Sequence, residues 1–357
     1  MKNKNTLKNL IEHMLGDYES ILEYLIVCMN NDLDVPGFMT IIPHLCLYVT
    51  EGYNLLIEHK VILPDCISKQ DKQLFAHCRS NGVKLYTKFK DKTYESLSRF
   101  NEEEYASFFE KVNPGKRLSF FPNINNYFIC FAQGLPVGNY HLYSKRIFDM
   151  KIGSYIEDIS PLISDFSYRL IGACSKIVRA LDPSFDITKI SSPSIQLQFQ
   201  YVDINMYNNY ANFSIKNNPP ILMALLDILC VLNSYGKVFV IINKDLVLDL
   251  KVKYTLLFYA ILSIRDIFSY CENKNLDINI PTEFKQYISI LESKYIKNPL
   301  RRCCMHYNFE EDFISTDYII EKFITKFGKP IKEVSAELSC VINELADKLQ
   351  TYLIIQI

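Results

Sequence analysis

Apolar side chains recur at the helical period from the start of the chain. Leu7, Leu10, Ile11, Met14, Leu15, Tyr18, Ile21, Leu22 and Leu25 form one stripe, which predicts a helix over residues 6–29. A second helix is expected from about His44 to Lys60. The Leu63-Pro64 step would end it, because the residue before a proline is pushed out of the α region. Residues 70–112 read as helical and charged. Within them, bases and aromatics interleave from Val83 to Lys92, and we read this as a solvated face rather than a nucleic-acid contact. Residues 113–142 concentrate Gly and Pro (Pro114, Gly115, Pro122, Gly134, Pro136, Gly138) and predict a loop-rich connector with one short strand at Tyr127–Phe131.

Ile159–Leu181 is the next helical stretch. Two alternating runs follow, Ser194–Ile204 and Met206–Ile215, and predict a β-hairpin. Asn217-Asn218-Pro219-Pro220 closes that segment and marks the main boundary. The chain then reads as helical almost to its end, over Ile221–Ser234, Val252–Glu272, Thr282–Lys297, Thr316–Phe327 and Ile331–Ile355, with a break at Gly328-Lys329-Pro330. Val238–Ile242 fits a strand or a helical continuation equally. Asn298 is expected to be an N-cap with Pro299 at the first position of a helix running to about Tyr307. The fold class expected is mainly α. Residues 1–215 would form a mostly helical recognition or regulatory region carrying a small β-hairpin, and 216–357 a helical bundle. There is no internal repeat.

Composition narrows the function classes. The 357 residues are 49% hydrophobic and 22% charged, a globular balance rather than a disordered one. Net charge is −1, so any polynucleotide contact must be a local patch. No GxGxxG, GxxxxGK[ST] or GxSxG occurs, which removes the main support for dinucleotide, P-loop and α/β-hydrolase readings. No signal peptide is apparent. The apolar stretches Pro220–Leu232 and Tyr254–Ile264 are too short to span a bilayer, so no membrane partner is expected. Eleven scattered cysteines, mostly in apolar runs and with no CxxC pair, suit reduced thiols in a cytoplasm.

The densest chemistry lies near position 300. Arg301, Arg302 and His306 fall within Leu300-Arg301-Arg302-Cys303-Cys304-Met305-His306-Tyr307. From Thr282 to Phe309 five bases (Lys285, Lys294, Lys297, Arg301, Arg302) stand against two acids (Glu283, Glu292), a local charge of 5 − 2 = +3. A helix start at Pro299 would add backbone N–H groups and partial positive charge, which together favour a phosphate.

This stretch resembles the HEPN superfamily of all-α nucleotide- and RNA-binding domains. Its signature is Arg, four to six residues, then His, often followed by Tyr. Arg301 and His306 fit, Tyr307 follows, and the resemblance covers roughly Asn217–Ile357. It implies a metal-independent endoribonuclease needing no cofactor, with Arg301 and His306 catalytic and Arg302, Tyr307, Lys297 and Lys294 contacting RNA. It also implies a homodimer through the C-terminal helices, a role as a toxin or phage-defence effector, and an antitoxin or regulatory partner. One position departs from the family pattern: Arg302 stands where its ribonucleases usually carry Asn, Asp or His. A non-catalytic RNA- or protein-binding scaffold is therefore the alternative. A further alternative is a metal-dependent nuclease using Asp249 and Lys251 with Asp227, which would need strands to place them together. His77-Cys78 and His141 lack partners at zinc spacing, and Glu102–Glu104 and Glu310–Asp312 read as solvated helix starts, the second near enough to raise the pKa of His306.

Overall fold

The computed structural model describes residues 4–31, 33, 36–62, 65–100, 126–139, 156–205, 214–215, 217–307 and 317–353. Its helices are α1 (Lys4–Asn30), α2 (Pro36–Glu58), α3 (Lys69–Gly82), α4 (91–100), α5 (Ile156–Leu181), α6 (Pro219–Ser234), α7 (Leu246–Asn273), α8 (Thr282–Tyr295), α9 (Asn298–His306), α10 (Tyr318–Phe327) and α11 (Ile331–Leu353). Three strands complete it: β1 (Asn126–Ala132), β2 (Leu135–Asn139) and β3 (Phe199–Asn205). The fold is mainly α with a small antiparallel sheet, as the periodicity predicts.

The sheet differs in detail from the expected hairpin. Its order is β2-β1-β3, and the tight hairpin is β1–β2, closed by Gln133-Gly134. Both turn residues have positive φ (52° and 77°), the requirement of a two-residue turn whose twist matches the strands. Pro136 sits in β2, an edge strand, where a missing N–H is tolerated. The run 199–205 does form a strand, but it pairs with β1 from Asn126↔Asn205 to Ala132↔Phe199. Its expected partner, Met206–Ile215, falls largely outside the described residues.

α6 explains why the core is continuous. Its residues Pro220–Ser234 are all buried, so it is enclosed around its whole circumference and needs neighbours on every side. It packs on α2, α7, α11 and strand β2. With its continuation to Ile242 it is long and apolar enough to cross a membrane by composition, yet 78% of that window is buried within this chain. The continuation is helical: a π-turn at Tyr235–Phe239 leads into Val240–Ile242, which resolves the ambiguity of that run. One hydrophobic cluster draws on residues from both sides of position 215. All eleven cysteines are free, and only Cys340 is exposed.

Other boundaries move for local reasons. α7 begins at Leu246, six residues before the apolar stripe suggests, because the Asp245 carboxylate caps it by accepting from the Leu248 N–H at 2.6 Å. The charged stretch 70–112 is not one helix. After α3 the chain turns over residues 83–88, with Leu85 and Lys88 at positive φ. Tyr86 and Phe89 turn inward there, while Lys84, Lys88 and Lys90 stay in water. Gly328, at φ 63°, ends α10 by donating its N–H to the Ile324 carbonyl.

Candidate functional site

α9 is short, and its placement is set from below. The buried Tyr254 of α7 lies under the α8–α9 junction: its hydroxyl donates to the Lys297 carbonyl at 2.8 Å and accepts from the Lys297 N–H at 3.2 Å. The cap residue is Lys297 and makes no side-chain cap bond. Asn298 is thus already inside the helix, one residue from where the sequence suggests, with Pro299 behind it. Leu300, Cys303, Cys304 and Met305 are buried, which fixes the rotation of α9.

That rotation separates the two motif residues. Positions five apart on a helix differ by about 140° in direction. Arg301 is half-buried toward α7. Its guanidinium carbon is 5.8 Å from the centre of the Phe258 ring, and Nη2 is 3.5 Å from the Tyr259 hydroxyl. No carboxylate pairs with Arg301 among the described residues. His306 faces α2 instead. Its Nδ1 lies 3.1 Å from Oε2 of Glu51, whose other oxygen pairs with Arg79 of α3. Arg79 also reaches the Thr50 hydroxyl at 3.4 Å. Burial works to raise the Glu51 carboxyl, but the His306 hydrogen bond and the Arg79 charge outweigh it and hold it below its usual value. The imidazole is 36% exposed. Its Nε2 has no hydrogen-bond partner among the described residues.

The other expected contact residues divide. Arg302 is exposed. Lys297 donates its ammonium to the Ser293 carbonyl at 2.5 Å. Lys294 is neutralised by Glu337 of α11 at 2.8 Å, and the same carboxylate takes Lys329 at 2.6 Å and the Tyr295 hydroxyl at 2.7 Å. These three hydrogen bonds pull the Glu337 carboxyl down to about 2. Lys285 pairs with Glu272. The local positive field therefore contracts to Lys297, Arg301 and Arg302. Tyr307 is the least accessible of the expected contacts. It is 3% exposed, with its hydroxyl donating to Asp17, so its ring cannot stack on a base from solvent.

The metal-nuclease alternative fails on geometry. Asp249 and Lys251 lie on a helix, not on strands, and two residues apart means about 200° apart. Asp249 is taken by Lys253 and by the Tyr235 hydroxyl at 2.6 Å. Lys251 points the other way, into a buried pair with Asp17. Asp227 accepts from the Tyr86 hydroxyl at 2.8 Å. Among the described residues no three His, Cys, Asp or Glu side chains are grouped to hold a metal ion. His141, Glu102–Glu104 and Glu310–Asp312 lie outside the described residues.

Sequence reasoning missed Glu51 and Arg79. They sit 255 and 227 positions from His306, and no local pattern ties them to it. No family model, curated protein or solved structure matches the chain.

Proposed function

We propose that the protein is a metal-independent endoribonuclease of HEPN type, acting in the cytoplasm, with residues 216–357 as the nuclease domain. The observation that carries this reading is the His306–Glu51 pair. A carboxylate that accepts from Nδ1–H fixes the tautomer in which Nε2 carries a lone pair, and that nitrogen has no hydrogen-bond partner among the described residues, on a side chain that is 36% exposed. In the step proposed, the ribose 2′-oxygen bonds to phosphorus as its proton passes to Nε2. The bond from phosphorus to the 5′-oxygen breaks, and that oxygen takes a proton from a second imidazole. The products are a 2′,3′-cyclic phosphate and a 5′-hydroxyl. The exposed Arg302 stabilises the charge on the phosphoryl oxygens, together with an Arg301 supplied across a dimer.

One chain supplies one imidazole, and its Arg301 faces elsewhere. The reading therefore includes a homodimer through the C-terminal helices, in which the partner copy brings the second His306. A toxin or phage-defence role, with a partner that restrains it, follows from the same resemblance. The competing reading is a binding scaffold for RNA or protein without cleavage. The packing of Tyr307 into the core and the presence of Arg302 at the usual polar position favour it.

The test is labelled RNA incubated with purified protein in EDTA. The proposal expects cleavage with cyclic phosphate ends, lost in His306→Ala, and a solution mass of twice 41.6 kDa. RNA that is bound but never cut would move the protein to the scaffold class. Cleavage that survives His306→Ala would remove His306 from the chemistry.

A further inference from the structure

α9 rests on a buried charge pair rather than on apolar surface alone. Asp17 of α1 and Lys251 of α7 form an ion pair whose side chains are 2% and 0% exposed. The Lys251 ammonium also stands 4.1 Å from the centre of the Tyr307 ring and 4.9 Å from that of Tyr48. The Tyr307 hydroxyl donates to Asp17 Oδ2 at 2.6 Å. His13, one turn before Asp17, brings Nε2 to 3.8 Å from the same carboxylate oxygen. Burial alone would raise the Asp17 carboxyl, but Lys251 and the neighbouring hydrogen bonds lower it.

These contacts converge on the residue immediately after His306. Tyr307 is the C-cap of α9 and holds φ at 46°, in the left-handed region, while its N–H reaches back to the Arg302 carbonyl. A bulky side chain there costs about 1–2 kcal/mol, so the conformation persists only where its surroundings over-determine it. Against well-packed apolar residues a buried ion pair is close to neutral in stability. Net stability therefore does not account for charges at this place, whereas orientation of the cap does.

We propose that Asp17 and Lys251 are positioning residues for His306, acting through Tyr307. Asp17 anchors the hydroxyl and Lys251 anchors the ring face. With the cap fixed, the last turn of α9 holds the imidazole against Glu51. Neither residue touches substrate. The inference rests on the reading of His306 as the proton-transfer group, but the placement it describes can be read without RNA.

The test uses full-length protein carrying 13C-labelled histidine, titrated by NMR, with the His306 resonance assigned by its loss in His306→Ala. Tyr307→Phe keeps the ring and removes the hydroxyl. Asp17→Asn keeps the shape and removes the charge. Both are expected to move the His306 midpoint away from that of the wild type, because the Glu51 carboxylate beside the imidazole is re-spaced. RNA cleavage should fall about tenfold in kcat with KM unchanged. Ile342→Val, a core change on α11, is the control for general loosening and should leave the midpoint in place. If Asp17→Asn does not fold, Tyr307→Phe decides the matter. A midpoint in folded Tyr307→Phe that superimposes on the wild type, or an equal shift in Ile342→Val, would overturn the proposal. If the wild type cuts no RNA, the proposed activity falls, and the titration still decides the positioning role.

Discussion

The two sides of α9 are held by electrostatics of different kinds. Toward the core, Asp17 and Lys251 are shut off from water and clamp Tyr307. Toward solvent, His306, Glu51 and Arg79 form a chain in which the imidazole is 36% exposed. A desolvated pair is expensive to break because the survivor is left charged and alone. The outer cluster is only part-buried, with Glu51 19% and Arg79 28% exposed, so it keeps contact with water and salt and breaking it costs less than breaking the desolvated pair. One side of this short helix thus rests on a desolvated pair and the other on a pair that keeps contact with water.

The sharpest way to break that contrast is Lys251→Met. It strands the Asp17 carboxylate in the core, and the expected loss is about 3–5 kcal/mol in urea unfolding. The double variant Asp17→Leu with Lys251→Met should recover most of it. A single-variant loss near that of a surface pair would erase the distinction between the faces.

A second histidine sharpens it. His44 of α2 is 1% exposed, neither of its ring nitrogens has a hydrogen-bond partner among the described residues, and burial drives its imidazole down to about 4. A pKa lowered on folding means full stability above the unfolded value near 6.5 and loss as pH falls from there toward about 4. The amount at stake is about 3 kcal/mol. Urea midpoints measured at pH 7 and pH 4.5 should show it, and His44→Leu should flatten that part of the acid limb. An unchanged slope would mean that His44 is not neutral in the fold.

Smaller effects belong to the outer face. Glu51→Gln should cost less than about 1 kcal/mol, yet slow cleavage by more than that stability loss explains. Smallest of all, Lys294→Ala should change stability by about 0.5 kcal/mol or less, because Lys329 still holds Glu337. RNA affinity should barely move in Lys294→Ala. In Arg302→Ala it should weaken and lose about one unit of salt dependence.

Much of the helical framework was legible because burial imposes a period. The stripe from Leu7 to Leu25 and the break at Gly328 predict α1 and the α10–α11 junction closely. What the period does not carry is pairing between distant elements. The run at Ser194–Ile204 alternates like a strand, but nothing in it names β1, rather than a following strand, as its partner. The site divides in the same way. Arg301 and His306 stand out as a local pattern, whereas Glu51, Arg79 and Asp17 reach His306 and Tyr307 only through tertiary packing. The local charge count overstates the patch, because Lys285 and Lys294 are neutralised by carboxylates from α7 and α11. Tyr307, expected to contact RNA, is a core residue because α9 turns its Cys303-Cys304 side inward.

The most direct measurement pairs a labelled RNA with its 2′-O-methyl twin, each incubated with the protein in EDTA. Attack by the ribose hydroxyl under His306 requires that hydroxyl, so the RNA should be cut and the methylated strand should bind and stay whole. Equal cutting of both strands, or both left intact at protein concentrations that bind them fully, would contradict the account.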